Sequence, residues 1–138
     1  MDVNRDFIKK LIKDIMESIN IISDYVSKSF EEISLTERYA VRYHIIVIAE
    51  ALSALALHIV RRFYNVEPES SIHALNILRD KGLLIDEEYK DFVSMFKLRN
   101  LLVHRYWIII DEKIYENIRS DFVNVMNFIR RISDAFKI

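Results

Sequence analysis

Glycine and proline are almost absent from this chain, and their scarcity limits its fold more than any other feature. The 138 residues include one glycine, Gly82, and one proline, Pro68. A sheet protein of this size needs many tight turns, and tight turns draw heavily on these two residues. The sequence therefore predicts a few long helices joined by short connections, within one domain that spans residues 1–138.

Apolar residues recur at steps of three and four through most of the chain, which is the pattern of amphipathic helices. The stripe is clear near the N-terminus, where Ile8, Leu11, Ile15 and Ile19 follow one another. The same pattern predicts four long helices and one short one: the long ones cover about 4–28, 34–60, 86–103 and 111–132, and the short one covers 72–79. Because the connections are short, we predict an all-α, mostly antiparallel helical bundle.

Polar residues at the helix boundaries support these limits. Ser34 with Glu37 has the spacing of a capping box. Asp86 and Asp111 are predicted to cap the two helices that follow them. Gly82 is predicted to close the short helix in the left-handed conformation, because it has no Cβ to oppose that conformation.

The sequence lacks the residue patterns of several common active sites. Without cysteine it has no disulfide, thiolate metal site or thiol nucleophile. It also lacks the Glu-x-x-His pairs of ferritin-like bundles, the His-Glu-x-x-His of zinc peptidases and any glycine-rich phosphate loop. We therefore predict that the protein uses neither a resident metal nor a cofactor.

The most apolar stretch, residues 41–60, is interrupted by Arg42, His44, Glu50 and His58. A lipid bilayer tolerates such residues poorly, and the mixed N-terminal segment is unlike a signal peptide. We therefore predict a buried central helix in a cytoplasmic protein that does not contact a membrane. The net charge of −1 gives no indication of a broad basic surface, so a nucleic-acid site would have to be a small basic patch.

The best candidate for a functional site is the segment K-L-R-N-L-L-V-H-R-Y-W, residues 97–107. Five residues separate Arg99 from His104, which on a helix is roughly 140° of rotation and 7.5 Å of rise. The two side chains do not share a face, but both can reach one groove, especially if the helix ends near His104, and Tyr106 would return close to the direction of Arg99. An arginine fork beside an imidazole suits phosphodiester chemistry, since one grips phosphate and the other moves protons. By spacing alone, the same residues also fit a purely structural role.

Other polar residues have simpler interpretations. Glu50, within the apolar stretch, is predicted to be a buried acid paired with an arginine or with donors at a helix end. His58 on the same helix is predicted to be a core histidine with its hydrogen bonds satisfied. Arg130 and Arg131 are predicted to be solvated rather than part of a binding patch.

The segment R-N-L-L-V-H-R-Y-W resembles the R-x-x-x-x-H-x-Y motif of HepT-like toxins, in the HEPN superfamily. The resemblance includes A-V-R-Y-H-I-I-V-I-A-E-A-L (residues 40–52), L-R-D-K-G-L-L (residues 78–84) and the segment from Trp107 to Tyr115, in the family's order and spacing. It covers about residues 35–132. Many relatives have glycine at the position of Arg105. This departure is expected to change the shape and charge at the mouth of the cleft that the family motif lines.

The resemblance implies a helical homodimer in which two R-x-x-x-x-H motifs line a shared cleft. It implies a metal-independent endoribonuclease, the toxin of a type VII-like toxin–antitoxin pair, in which Arg99 holds the scissile phosphate and His104 handles protons. Asn100 would assist positioning. The implied antitoxin is a minimal nucleotidyltransferase that silences the toxin by transferring AMP from ATP to Tyr106.

Two other functions remain open at the level of sequence. One is a non-catalytic all-α dimer that binds and regulates a nucleotidyltransferase, which the net charge of −1 favours because RNA-binding proteins usually carry more positive surface. The other is a bundle that binds nucleotides without cleaving RNA. The pairing of Arg99 with His104 favours the ribonuclease, because an adaptor protein has no need of it.

Overall fold

A computed structural model describes residues 3–118 and 122–138, and within these ranges the chain is all-α, as predicted. Two 3₁₀ turns, Phe30–Glu32 and Tyr106–Ile108, lie between helices. The helices are α1 (Arg5–Val26), α2 (Leu35–Arg62), α3 (Ser71–Asp80), α4 (Asp86–His104), α5 (Asp111–Ile118) and α6 (Phe122–Phe136).

The predicted single helix over 111–132 is described as two helices, α5 and α6. Residues 119–121, which the prediction included, lie outside the described ranges. The apolar stripe steps by four from Ile114 to Ile118 and Phe122, and then by three to Val125. Because this period runs unbroken from one helix into the other, the sequence pattern gives no signal for two elements.

Helix α2 lies at the centre of the bundle, where α1, α3 and α4 pack against it. Among the described helices it alone is long and apolar enough to span a membrane, yet half of its most apolar window is buried against protein. Apolar residues on most of its faces are therefore explained by helix neighbours. Its buried residues are Val41, Ile45, Ile48, Ala49, Ala51, Leu52, Leu55, Ala56, Ile59 and Val60.

The capping box at the start of α2 is confirmed. Ser34 Oγ accepts a hydrogen bond from the Glu37 N–H at 3.1 Å, and Glu37 Oε1 accepts one from the Ser34 N–H at 2.9 Å. Lys28 Nζ donates to Glu37 Oε2 at 2.9 Å. The Lys28 ammonium, with the Ser34 N–H, lowers the pKa of the Glu37 carboxyl to about 2.

The predicted closure of α3 by Gly82 is also confirmed. Gly82 has a φ of 82°, and the N–H of Leu83 donates to the carbonyl of Leu78 at 2.9 Å. The N–H of Gly82 donates to the carbonyl of Arg79 at 3.0 Å, which completes a Schellman motif. A residue with a Cβ would be strained at this φ.

The predicted caps Asp86 and Asp111 are wrong, because each is the first residue of its helix and its carboxylate has another partner. Asp86 pairs with Arg79 and Lys90, at 3.2 Å in each case. Asp111 pairs with an arginine of α2, described below. At the start of α4, the backbone N–H of Ile85 instead donates a hydrogen bond to the Glu88 carboxylate.

Glu88 is the one charged residue that is fully buried within the described ranges. Arg131 of α6 meets it with two parallel contacts, Nη1 to Oε1 at 2.6 Å and Nη2 to Oε2 at 3.0 Å. The Glu88 carboxylate raises the pKa of the Arg131 guanidinium through this hydrogen bond. The prediction that Arg131 is solvated is therefore wrong. Its partner lies 43 residues away in the chain, and the sequence gives no sign of such a pairing.

Two histidines of α2 are structural. His58 Nε2 accepts a hydrogen bond from the Asn4 N–H at 2.9 Å, at the start of α1, so this nitrogen has a partner as predicted, although the residue is half-buried and not part of the core. His44 Nδ1 lies 2.9 Å from Ser18 Oγ. Burial lowers the pKa of both rings, and Arg62 adds to the effect at His58. One nitrogen of each ring is thus engaged in a contact that joins α1 to α2.

Replacing Arg131 with methionine should destabilise the fold, because the buried Glu88 carboxylate loses its counter-charge. Since the Arg131 side chain is 31% exposed, we expect the free energy of unfolding to fall by about 2–3 kcal/mol, below the cost for a fully buried pair. Urea denaturation measures this change. The control is Arg130→Met, since Arg130 is exposed and bonds Asn127 instead. Equal losses in the two variants would contradict the importance of the buried pair.

Candidate functional site

Arg99 lies on α4 with its side chain held from two sides. Its Nε is 2.5 Å from Glu50 Oε1 of α2, and its Nη1 donates to Asn100 Oδ1 at 2.9 Å. The Nε atom is buried, but its N–H is not aligned on the carboxylate, so the contact is an ion pair rather than a well-formed hydrogen bond. Glu50 is therefore paired with an arginine as predicted, although its side chain is 55% exposed and not buried.

Arg99 and Asn100 line a cavity of about 250 Å³ between α2, α3 and α4. Glu50 and Ser53 line it from α2, and Ser71 lines it from the first turn of α3. The hydroxyls of Ser53 and Ser71 contact each other within it. The cavity thus combines one cation, one carboxylate and several neutral polar groups, which suits a polar ligand that carries phosphate.

His104 is the last residue of α4, and its side chain is exposed. Within the described part of the chain it makes no side-chain hydrogen bond. The helix ends because Arg105 leaves the helical conformation, with φ −139° and ψ 44°. The end of α4 at His104 is the one for which the spacing of Arg99 and His104 was most favourable. A solvated imidazole of this kind is available for proton transfer.

Tyr106 does not continue α4, so the helical spacing behind its predicted return to the direction of Arg99 does not extend to this residue. The helical period no longer applies beyond Arg105, and Tyr106 instead begins a 3₁₀ turn. Its side chain is 60% exposed, and its ring meets that of Trp107 edge-on, with centroids 5.5 Å apart. Tyr106 is thus an accessible phenol at the end of α4.

Arg42 of α2 fixes this end of α4, a role that the sequence analysis missed. Its Nε lies 2.7 Å from Asp111 Oδ1, with both side chains at least 83% buried. Its Nη1 donates to the carbonyl of Tyr106 at 3.4 Å. The available signal was an arginine inside the most apolar stretch of the chain, which demands a partner.

A single copy of the chain leaves the motif divided. Arg99 and Asn100 line the cavity, whereas His104 and Tyr106 lie at the exposed end of α4. No hydrogen bond or ion pair links Arg99 to His104 in the ranges that the structure covers. Nor do those ranges hold a cluster of three or more His, Asp or Glu side chains placed to bind a metal ion.

Large apolar side chains are exposed beside the motif. Trp107 is 67% exposed and Ile110 is 54% exposed. Tyr39 and Tyr43, one turn apart on α2, are 53% and 62% exposed. An open apolar groove of about 570 Å³ runs between α2, α4 and α5, and Ile110 lines part of it. Apolar surface of this extent is typical of an interaction site.

Family comparison identifies the chain. A model of the family described as "Ribonuclease HepT-like" matches residues 12–132, which is most of the sequence. The chain belongs to the HepT-like ribonuclease family. This confirms the resemblance that the R-x-x-x-x-H-x-Y motif carries. No curated protein sequence matches the chain at a significant level.

Solved structures share the fold along almost the whole HepT-like chain. A tri-AMPylated HEPN toxin of Shewanella oneidensis, in complex with MNT antitoxin, is 23% identical, with a TM-score of 0.85 over 97% of this chain and 99% of that one. A mutant of the toxin–antitoxin MntA-HpeT is 23% identical, with a TM-score of 0.81 over 94% and 98%. YutE of Bacillus subtilis, a cytosolic protein of unknown function, is 18% identical, with a TM-score of 0.85 over 98% and 92%. At these identities the likeness establishes the fold.

Replacing Arg42 with glutamine should loosen the 3₁₀ turn after α4 while leaving the bundle folded. The amides of Ile108 and Ile109, which bond back within this segment, should exchange with solvent about tenfold faster, because a largely buried charged pair is lost. Hydrogen exchange followed by NMR measures this. Arg38→Gln, one turn earlier on α2, is the control; the same acceleration there would contradict a specific role for Arg42.

Proposed function

We propose that this HepT-like chain is the toxin of a two-gene toxin–antitoxin pair, and that it cleaves RNA in the cytoplasm without a metal ion. The observation that carries the proposal is the arrangement around α4: an arginine restrained beside a polar cavity, followed by a free imidazole at the helix end. Family membership supports a ribonuclease. The complexes of similar fold, described as toxins with antitoxins, support the pairing.

The proposed reaction is attack by a ribose 2′-hydroxyl on the adjacent phosphorus. His104 takes the proton from this hydroxyl, or gives one to the departing 5′-oxygen, so the products are a 2′,3′-cyclic phosphate and a 5′-hydroxyl. Glu50 occupies the Nε of Arg99, and Asn100 occupies one N–H of Nη1. The other Nη1 N–H and both on Nη2 are left to bind two phosphate oxygens, and they stabilise the charge that develops there.

We further propose that the active form is a homodimer. Arg99 and His104 make no contact within one copy, and the exposed aromatic and aliphatic residues beside the motif offer an apolar surface for self-association. Two copies packed at this surface would place the Arg99 of one opposite the His104 of the other. The shared cleft then contains a complete pair at each of two symmetric positions.

His104→Ala should abolish RNA cleavage while leaving helicity and dimerisation intact, because His104 is exposed and bonds no other side chain. Arg99→Lys should lower the rate by at least about 100-fold, since lysine keeps the charge but cannot bind two oxygens in the same plane. Gel assays of a mixed RNA substrate, in EDTA, with detection of the cyclic phosphate, measure both effects. His73→Ala, at a histidine on α3, is the control. Full activity in His104→Ala would exclude the ribonuclease mechanism.

Two observations favour a second function, a non-catalytic dimer that regulates a nucleotidyltransferase. The charge of Arg99 is already balanced by Glu50, and the chain has a net charge of −1, so little positive potential attracts RNA. The adaptor would bind its partner equally well with and without His104. The RNA-cleavage assay therefore decides between the two.

Tyr106 is the proposed point of control. A minimal nucleotidyltransferase partner would catalyse attack by the Tyr106 phenol oxygen on the α-phosphorus of ATP, which forms a phosphodiester and releases pyrophosphate. The phenol is exposed and lies two residues beyond His104. An AMP group there carries negative charge to the mouth of the cleft, where it repels RNA and competes for Arg99.

Incubation with the partner nucleotidyltransferase and ATP should add AMP to the chain and stop RNA cleavage. Intact mass should rise by one or more AMP units, and peptide mapping should place the first on Tyr106. Tyr106→Phe should escape both modification at this position and inhibition. Tyr43→Phe is the matched control, because Tyr43 is 62% exposed against 60% for Tyr106. Unchanged inhibition of Tyr106→Phe would mean that the partner acts by binding alone.

A further inference from the structure

The cavity between α2, α3 and α4 contains space and polar groups that the proposed cleavage reaction does not use. The reaction needs Arg99 at its edge, but not the 250 Å³ of space beyond it or the polar groups that line it. We propose that this cavity binds the nucleobase next to the scissile phosphate and selects a base that carries an amino group, guanine above all. The proposal rests on the proposed function, because that function puts RNA phosphate at Arg99.

The position of the cavity supports a base rather than another phosphate. Arg99 is the cation at this site, and Glu50 already balances it. A second phosphate would meet the Glu50 carboxylate without a further positive side chain to offset the repulsion, since among the described residues no other lysine or arginine lines the cavity. A neutral base covalently joined to the phosphate at Arg99 meets no such penalty.

The polar groups predict which edge of a base fits. Glu50 Oε1 faces Arg99, whereas Oε2 has no partner among the described residues, and a carboxylate only accepts hydrogen bonds. Asn100 uses its Oδ1 to accept from Arg99, so its Nδ2 remains as a donor. Guanine presents adjacent N–H donors and a carbonyl acceptor on its Watson–Crick edge, which matches a carboxylate beside an amide. Uracil presents a single donor, N3–H, between two carbonyls, so a carboxylate that accepts from N3–H gains no second hydrogen bond and is repelled by a neighbouring carbonyl oxygen.

The walls of the cavity suit a flat ring. Phe96 and Ile72 contribute apolar surface on two of its sides, from α4 and α3. The hydroxyls of Ser53 and Ser71 contact each other at its wall and can turn to donate to, or accept from, a base. Recognition of RNA usually depends on such a splayed, unstacked base held between apolar and polar walls.

Direct binding tests the cavity without any cleavage. The probes are guanosine 3′,5′-bisphosphate, uridine 3′,5′-bisphosphate and inorganic phosphate, titrated calorimetrically into the full chain. The bisphosphates carry phosphate on both sides of the ribose, so the test does not depend on which neighbour of the scissile phosphate enters the cavity. We expect the guanosine compound to bind at least about tenfold more tightly than the other two, the discrimination typical of a well-formed base contact.

Ser53→Leu fills the cavity without changing any charge, and it should reduce the affinity for the guanosine compound to that for the uridine compound. Phosphate binding should not change. Ser94→Leu, which adds the same side chain in the separate groove beside α5, is the control. If Ser53→Leu does not fold, Glu50→Gln serves instead, because it removes the carboxylate that selects the amino group and should abolish the preference for guanosine.

The outcomes separate this proposal from the ribonuclease itself. Equal affinity for the three probes, or a preference that survives both Ser53→Leu and Glu50→Gln, would overturn the base site even if the chain cleaves RNA. A guanosine preference that Ser53→Leu removes would support the site even if no RNA is cut, in which case the ribonuclease proposal fails alone. If the chain cuts RNA, sequencing the new ends should show guanosine beside the cut, and Ser53→Leu should lose that preference.

Discussion

The ion pair between Glu50 of α2 and Arg99 of α4 determines how the motif arginine is presented. With side chains 55% and 28% exposed, the pair adds little to stability. Its effect is geometric, because it removes the Nε edge of the guanidinium from use and leaves the Nη end for a ligand. The fold makes this contact by placing a glutamate on an exposed face of the central helix, whose apolar residues are mostly buried in the core.

Helix α2 therefore has two tasks that constrain each other. Its apolar residues must stay buried against α1, α3 and α4 for the bundle to form. Two of its charged residues lie outside this core, at different positions along the helix. Arg42 fixes the turn after α4, and Glu50 restrains Arg99 near the end of α4. A shift of α2 along its axis would disturb both contacts together, so the packing of the core and the geometry of the site depend on each other.

Local signals were more predictable from sequence than the partners in long-range contacts. Ser34 with Glu37, and Gly82 at its turn, depend on residues within a few positions of each other, and their geometry is as predicted. Asp86 has a residue type that often caps helices. The N–H before the helix nevertheless donates to the Glu88 carboxylate, which also binds Arg131. The motif was visible as a string of residues. Its separation into a cavity and an exposed helix end depends on where α4 stops.

We propose that Arg99 of one copy acts with His104 of its partner. Mixing Arg99→Ala and His104→Ala chains, each inactive alone, separates this arrangement from a site within one chain. In a mixed dimer one of the two positions regains an intact Arg99 and an intact His104, so we predict that RNA cleavage returns when the two variants are refolded together. If both groups act from the same chain, each position in the mixed dimer lacks one of them. Cleavage that stays absent, with mixed dimers demonstrated by mass, would contradict the shared site.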